Sequence, residues 1–199
     1  MKKMNSKGFT LIELLAVITI MGILMMVAIP SVSRTIENSR RDTFANIAHE
    51  YINAVRNGVL ADNIECFPNA TYNASGELTA YGDGVVASAT ADGTYYFQIN
   101  TEDQNTKDLM ESGGKSPFGN AEMKGYIKWV KTSTPNSRGD LKTKTKYTMV
   151  LTDSGKHGFT TELEEASIKR SNVNTNTGTL ADEKPASTST VTPVLCKLS

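Results

Sequence analysis

Histidine and cysteine are scarce in this sequence, two of each in 199 residues. Metal centres and histidine-based acid–base catalysis have little to be built from. An excess of charge is missing too, since 21 basic residues balance 21 acidic ones. No basic face with interleaved aromatics marks a strand-binding groove, so no nucleic-acid partner is expected for the isolated chain. Neither a Gly-x-Ser-x-Gly nucleophile elbow nor a complete calcium loop occurs. Threonine, by contrast, is plentiful: 24 residues, many clustered with Ser and Asn, as suits an exposed extracellular surface. A chain of this length holds one ordinary domain, or one with an appendage, and needs no metal or disulfide to fold.

Against that polar background, Leu14 to Ile29 (LLAVITIMGILMMVAI) carries no charge. Extending back to Phe9 gives 21 apolar-dominated residues broken only by Glu13. About 20 such residues cross a bilayer core as a helix. Upstream, Lys2, Lys3 and Lys7 stand without an acid, which keeps that end cytoplasmic and sends the rest outward. A secretory signal peptide needs a small-residue cleavage site after the run, and Ala28 and Ser31 form only a poor one.

The anomaly lies before the run. Gly8 followed by Phe9-Thr10-Leu11-Ile12-Glu13 resembles the prepilin signature shared by type IV pilins and pseudopilins. The basic leader, the glycine, the phenylalanine, the glutamate and Pro30 all match, over about the first 30 residues. The resemblance implies a cut between Gly8 and Phe9 by a membrane peptidase, followed by methylation of the new N-terminal residue. It also implies that the apolar helix stays on the mature protein and drives polymerisation. A carboxylate within a membrane helix is costly and needs a purpose; a snorkelling interfacial Glu is the bland alternative. The family suggests an ion pair between Glu13 and the α-amine of Phe9 on a neighbouring subunit.

Beyond Pro30, Phe44, Ala48, Tyr51, Ile52, Val55 and Val59 share one helical face, with Arg41, Asp42, Asn46, Glu50, Asn53 and Asn57 opposite. One helix from Phe9 to about Ala61 is expected, roughly 80 Å long at 1.5 Å per residue, and its second half needs a partner to cover the stripe. Gly22 and Pro30 are candidate helix breaks: a mild kink, or the extended segment that the family often shows in filaments.

From Cys66 the pattern is β-rich. Asn69 to Asp92 reads as loop, Thr94 to Ile99 as a strand, Thr106 to Met110 as a short helix. Gly125 to Val130 and Lys146 to Leu151 read as strands across a polar Lys/Thr turn region. Asp153-Ser154-Gly155 turns into His157 to Thr161. These predict an antiparallel meander with one apolar face, which the amphipathic helix requires. Ser171 to Thr192 lacks apolar periodicity and is expected to wrap the surface or stay mobile; Val194 to Leu198 turns apolar again and could dock as a last strand. Cys66 and Cys196 most simply pair in an extracellular compartment, the alternative being two separate buried thiols.

Catalytic look-alikes fail on inspection. Gly113-Gly114-Lys115-Ser116 has Leu109 where a phosphate loop needs glycine. His157 and Asp153 lack a nucleophile elbow, so His157 and His49 are read as surface residues. Asp83, Asp92 and Asp103 sit in loops without a full calcium ligand set. No enzyme chemistry and no cofactor is expected.

The expected fold is α+β, the type IV pilin fold: a long N-terminal helix packed on a C-terminal antiparallel sheet. Residues 1–8 are the leader, 9–30 the transmembrane and filament-core helix, 31–62 its amphipathic half, and 63–199 a β-rich head with a Ser/Thr/Asn-rich tail. The resemblance implies a structural subunit of an extracellular pilus serving adhesion, aggregation or twitching motility. Its partners would be copies of itself, other pilins, the prepilin peptidase, and the assembly platform with its ATPase. The precursor would sit in the cytoplasmic membrane with its N-terminus inside. The alternatives are a minor pilin or a pseudopilin of a type II secretion or DNA-uptake system, and an anchored binding domain that never polymerises.

Overall fold

Fifty consecutive residues, Leu11–Leu60, form one α-helix, α1, in the computed structural model. The structure describes residues 8–68, 70–72, 78–80, 92–101, 114–154, 156–175, 179–183, 185 and 194–198. The predicted helix of Thr106 to Met110, and Asn69, Asp83 and Asp103, lie outside them. The chain divides into two compact units, Met1–Ser39 and Arg40–Ser199, and α1 contributes to both.

In the first unit, α1 keeps its helical conformation through Gly22 and Pro30. Proline forfeits one backbone bond, and the helix continues on both sides of it. Thr19 and Thr35 send their hydroxyls back to the carbonyls of Leu15 and Ser31, at 3.1 and 3.0 Å, so neither leaves a bare polar group on the helix.

In the second unit, α1 buries Phe44, Ala45, Ala48, Tyr51, Ile52 and Val55, a stripe at helical spacing. The helix stops in a Schellman motif. Asn63 N–H bonds the Gly58 carbonyl at 2.9 Å and Asp62 N–H bonds the Val59 carbonyl at 3.3 Å, with Asp62 left-handed at φ 54°. Gly58 also lets a strand come close: a Cβ there would meet Leu198 Cδ2 at 2.2 Å.

The main sheet has β1 (Ile64–Phe67), β4 (Gly93–Asn100), β5 (Lys124–Pro135), β6 (Leu141–Thr152), β7 (Gly158–Phe159), β8 (Leu163–Glu164), β9 (Val173–Asn174) and β10 (Val194–Leu198). Its order is β1-β10-β4-β5-β6-β7-β9, with β8 beside β6. β2 (Thr71–Tyr72) and β3 (Leu78–Ala80) make a separate hairpin. The β4-β5-β6 meander is antiparallel as expected. The purely antiparallel sheet needs one correction: β10 enters between β1 and β4 and runs parallel to β4. Alternation puts Tyr95, Phe97, Ile99, Ile127, Trp129, Tyr147, Met149 and Leu151 into one core with the α1 stripe. Phe97 and Met149 both stand opposite Ile127.

Two further expectations change. The polar Lys/Thr stretch is strand, not turn: β5 and β6 stay paired from Lys131↔Thr145 out to Pro135↔Leu141. Threonine favours the pleated backbone even when exposed on both faces. The start of the tail is not a wrap either, since Val173 is buried in β9 and pairs with Phe159.

Candidate functional site

At the N-terminal end of α1, Gly8, Phe9 and Thr10 precede the first helical residue, Leu11. The first four amides of a helix have no partner within it. Thr10 and Glu13 meet that need reciprocally. Thr10 N–H donates to Glu13 Oε2 at 2.8 Å, and Glu13 N–H donates to Thr10 Oγ1 at 3.4 Å. The Thr10 hydroxyl adds a bond of its own to Oε2 at 2.8 Å. This is a capping box, with threonine at the cap and glutamate three residues on. Glu13 Oε2 thus holds two donors. Among the described residues, Oε1 holds none.

Around this polar start everything is apolar and uncovered. Phe9 is 85% exposed and Ile23 68%, and Leu14, Leu24, Met26 and Val27 are exposed with them. The helix is long and apolar enough to cross a membrane by length and composition. Gly8 and Gly22 have nothing within 4 Å of an added Cβ, so the backbone is open at both. Thr10 is the capping residue that sequence reasoning missed. Its signal was present, as Thr-x-x-Glu immediately before an apolar run.

Cys66 and Cys196 stand directly opposite each other in β1 and β10 and are disulfide-bonded, with Cα atoms 4.0 Å apart. The bridge, between residues 130 apart in sequence, ties the end of β10 to the strand that follows α1. No free cysteine exists.

The catalytic look-alikes resolve into structural contacts. Asp153, essentially buried, accepts from Ser116 Oγ at 2.7 Å and from His157 Nδ1 at 2.7 Å, and the His157 amide also donates to it. His157 is therefore half-buried and paired, not a free surface residue, and it stacks on Phe118 at 4.4 Å. In a Ser-His-Asp triad the histidine stands in the middle and takes the serine proton. Here the aspartate stands in the middle, and the serine proton points at a carboxylate. His49 Nε2 faces the Ile168 carbonyl at 3.2 Å, which fixes Nε2 as the protonated nitrogen. Asp92 accepts from the Ser133 amide and hydroxyl, both at 2.7 Å, and these bonds hold its carboxyl below the usual range. Among the described residues no cluster of three metal-ligating side chains occurs. One cleft of about 310 Å³ is lined by Arg41, Thr160, Thr161, Ser171 and Asn174 among others, with no histidine, cysteine or carboxylate among the described residues of its wall.

The prokaryotic N-terminal methylation motif matches residues 3–29, the stretch that holds Gly8, Phe9, Thr10, Glu13 and the apolar run. No curated protein and no solved structure matches the chain.

Proposed function

We infer that the chain belongs with the type IV pilins and pseudopilins, a structural rather than an enzymatic family, because the N-terminal methylation motif at residues 3–29 is their signature. With the long apolar helix it fits a membrane-anchored precursor.

We propose that the chain is a structural subunit of an extracellular type IV pilus. In this reading residues 1–8 are a leader removed by a prepilin peptidase between Gly8 and Phe9, and the new amine of Phe9 is methylated. Residues 9–30 anchor the precursor in the cytoplasmic membrane and later pack into the filament core, 31–62 form the amphipathic half of the helix, and 63–199 form the extracellular head. Gly22 and Pro30 mark where the helix would loosen on assembly. The observation that carries the proposal is Glu13: a carboxylate in the first turn of an uncovered apolar helix, with one oxygen satisfied within the chain and the other open. Surrounded by apolar helices, an open anionic oxygen is costly until a cation reaches it. The Phe9 amine of an incoming subunit is such a cation, so docking would neutralise both charges and set the register. Partners would be copies of this chain, other pilins, and the assembly platform with its ATPase.

Mass spectrometry of sheared surface filaments tests the reading. The expected product begins at N-methylated Phe9. A chain found only in the membrane fraction would favour the second reading, a pseudopilin or minor pilin of a secretion or DNA-uptake system. A mature chain beginning near Ser31 would overturn both.

A further inference from the structure

Four ladder pairs of the β5–β6 hairpin, from Thr132↔Lys144 to Pro135↔Leu141, extend past the last β4 pairing at Lys131. At about 3.3 Å per residue they carry the turn roughly 13 Å beyond that point. Asp92 braces the base of this ribbon through Ser133. The turn itself is Asn136-Ser137-Arg138-Gly139-Asp140, exposed throughout.

This turn is fixed in shape before anything binds it. Asn136 N–H donates to the Asp140 carbonyl at 2.8 Å, and Gly139 N–H donates to the Asn136 carbonyl at 3.0 Å. The Asn136 side chain organises the rest. Its Oδ1 accepts from Arg138 N–H at 2.8 Å and Asp140 N–H at 2.9 Å, and its Nδ2 donates to Asp140 Oδ2 at 3.1 Å. Gly139 has φ +86°, a conformation that excludes ordinary side chains, and nothing lies within 4 Å of an added Cβ. Among the described residues neither Arg138 nor Asp140 is engaged in an ion pair. The tip thus offers a guanidinium and a carboxylate two residues apart, on a pre-ordered turn, with bare backbone between them.

We propose that Arg138-Gly139-Asp140 is a receptor-binding site at the hairpin tip, read by a cell-surface receptor of the integrin class. The partner this geometry fits would offer a divalent cation to the Asp140 carboxylate and an acidic pocket to the Arg138 guanidinium. A carboxylate is a hard oxygen ligand suited to Mg²⁺, and a guanidinium suits planar, bidentate capture by acids. Gly139 lets the receptor surface approach the backbone. The Asn136 bonds remove most of the ordering cost that a flexible loop would meet on binding. The proposal stands apart from polymerisation, because the site is complete in one chain.

The test uses the full chain in detergent, immobilised and exposed to a purified Arg-Gly-Asp-binding integrin ectodomain in Mg²⁺. Saturable binding is expected, abolished by EDTA and competed by a free Arg-Gly-Asp peptide. Asp140→Glu, which keeps the charge but moves it one methylene out, should weaken binding about tenfold or more, as should Arg138→Ala. Both positions are exposed and the only side-chain bond lost is the one from Asn136 to Asp140, so the melting temperature should move little. Lys142→Glu with Lys144→Glu should leave binding in place, separating this site from general attraction to the basic strand. No binding above that of a scrambled tip, or binding that survives EDTA or Asp140→Glu unchanged, would overturn the proposal.

Discussion

Thr10 and Glu13 close on each other at the first turn of α1, through two bonds to Glu13 Oε2 and one returned from the Glu13 amide. The pairing divides the carboxylate into a structural oxygen and a free one. Capping and charge become separable by mutation.

Under the proposed pilin function, Glu13→Ala should process and insert normally, since Gly8, Phe9 and the apolar run are untouched and a charge has left the apolar helix. It removes both the cap and the counter-charge, so subunit affinity should fall about a hundredfold or more, with membrane-bound monomer accumulating. Glu13→Gln keeps the capping box, which accepts glutamine at that position, but cannot balance a cation; filaments should still fail. Thr10→Ala keeps the charge and loses the cap, and filaments should persist. Immunoblots of sheared and membrane fractions decide the matter. Normal fibres from Glu13→Gln would leave capping as the residue's whole role.

Cys66→Ser should lower thermal stability without altering the proposed processing at Gly8. A bridge between residues 130 apart stabilises by about 5 kcal/mol in the chain-entropy model, and commonly by less. β10 is the strand at risk, because it has only five residues and one of its two neighbours is the four-residue β1. Hydrogen exchange should show its amides unprotected in the variant while β5 and β6 stay slow. An unchanged melting temperature would mean that strand pairing alone holds β10.

The helix stripe from Phe44 to Val55 was legible because its period is local and every buried position repeats within a turn or two. The Cys66–Cys196 pair was legible from compartment and count. The place of β10 was not: five residues carry no sign of which strands they join, and the parallel pairing with β4 depends on a return across most of the chain. The Lys/Thr ribbon was misread because polarity was taken for turn, although threonine at alternate positions is compatible with a solvated two-stranded ladder. Asp153 shows the same limit at a candidate site. His157 is four residues away and was in view, but Ser116 arrives from 37 residues upstream, and only the fold puts the aspartate between them.

Asp62→Gly should stabilise the second unit. Asp62 is a non-glycine residue held at φ 54° in the Schellman stop of α1, where the left-handed backbone favours glycine. An acid there also faces the negative end of the helix dipole. Against this, glycine adds freedom to the unfolded chain. Strain and dipole together outweigh that, giving about 0.5–1 kcal/mol net. Thermal melts at low and high salt measure it, and a lower melting temperature at both would show Asp62 to be relaxed where it stands.

Glu162 gives the sheet a pH-dependent clasp. Its carboxylate accepts from Tyr126 Oη at 3.0 Å, Lys128 Nζ at 2.8 Å and Thr148 Oγ1 at 2.7 Å, tying β5, β6 and the 162–164 segment together. Partial burial works to raise its pKa, but the bonds from Lys128, Thr148 and Tyr126 outweigh it and hold the group below the usual 4.5. A carboxyl depressed by folding stabilises the fold above its unfolded pKa, and that stability is lost as pH falls through the lower folded value. Glu162→Gln should therefore cost stability at pH 7, and that cost should shrink as pH falls below the usual 4.5, disappearing once the native carboxyl is itself protonated. With solvent still reaching the pair, the cost at pH 7 is about 1 kcal/mol, or roughly 2–4 °C in Tm for a chain of this size. The Tm difference between the two proteins, followed from pH 7 to pH 3, should shrink only below about pH 4.5. A difference that stays constant across that range would mean the glutamine is disturbing packing, with the charge of Glu162 playing no part.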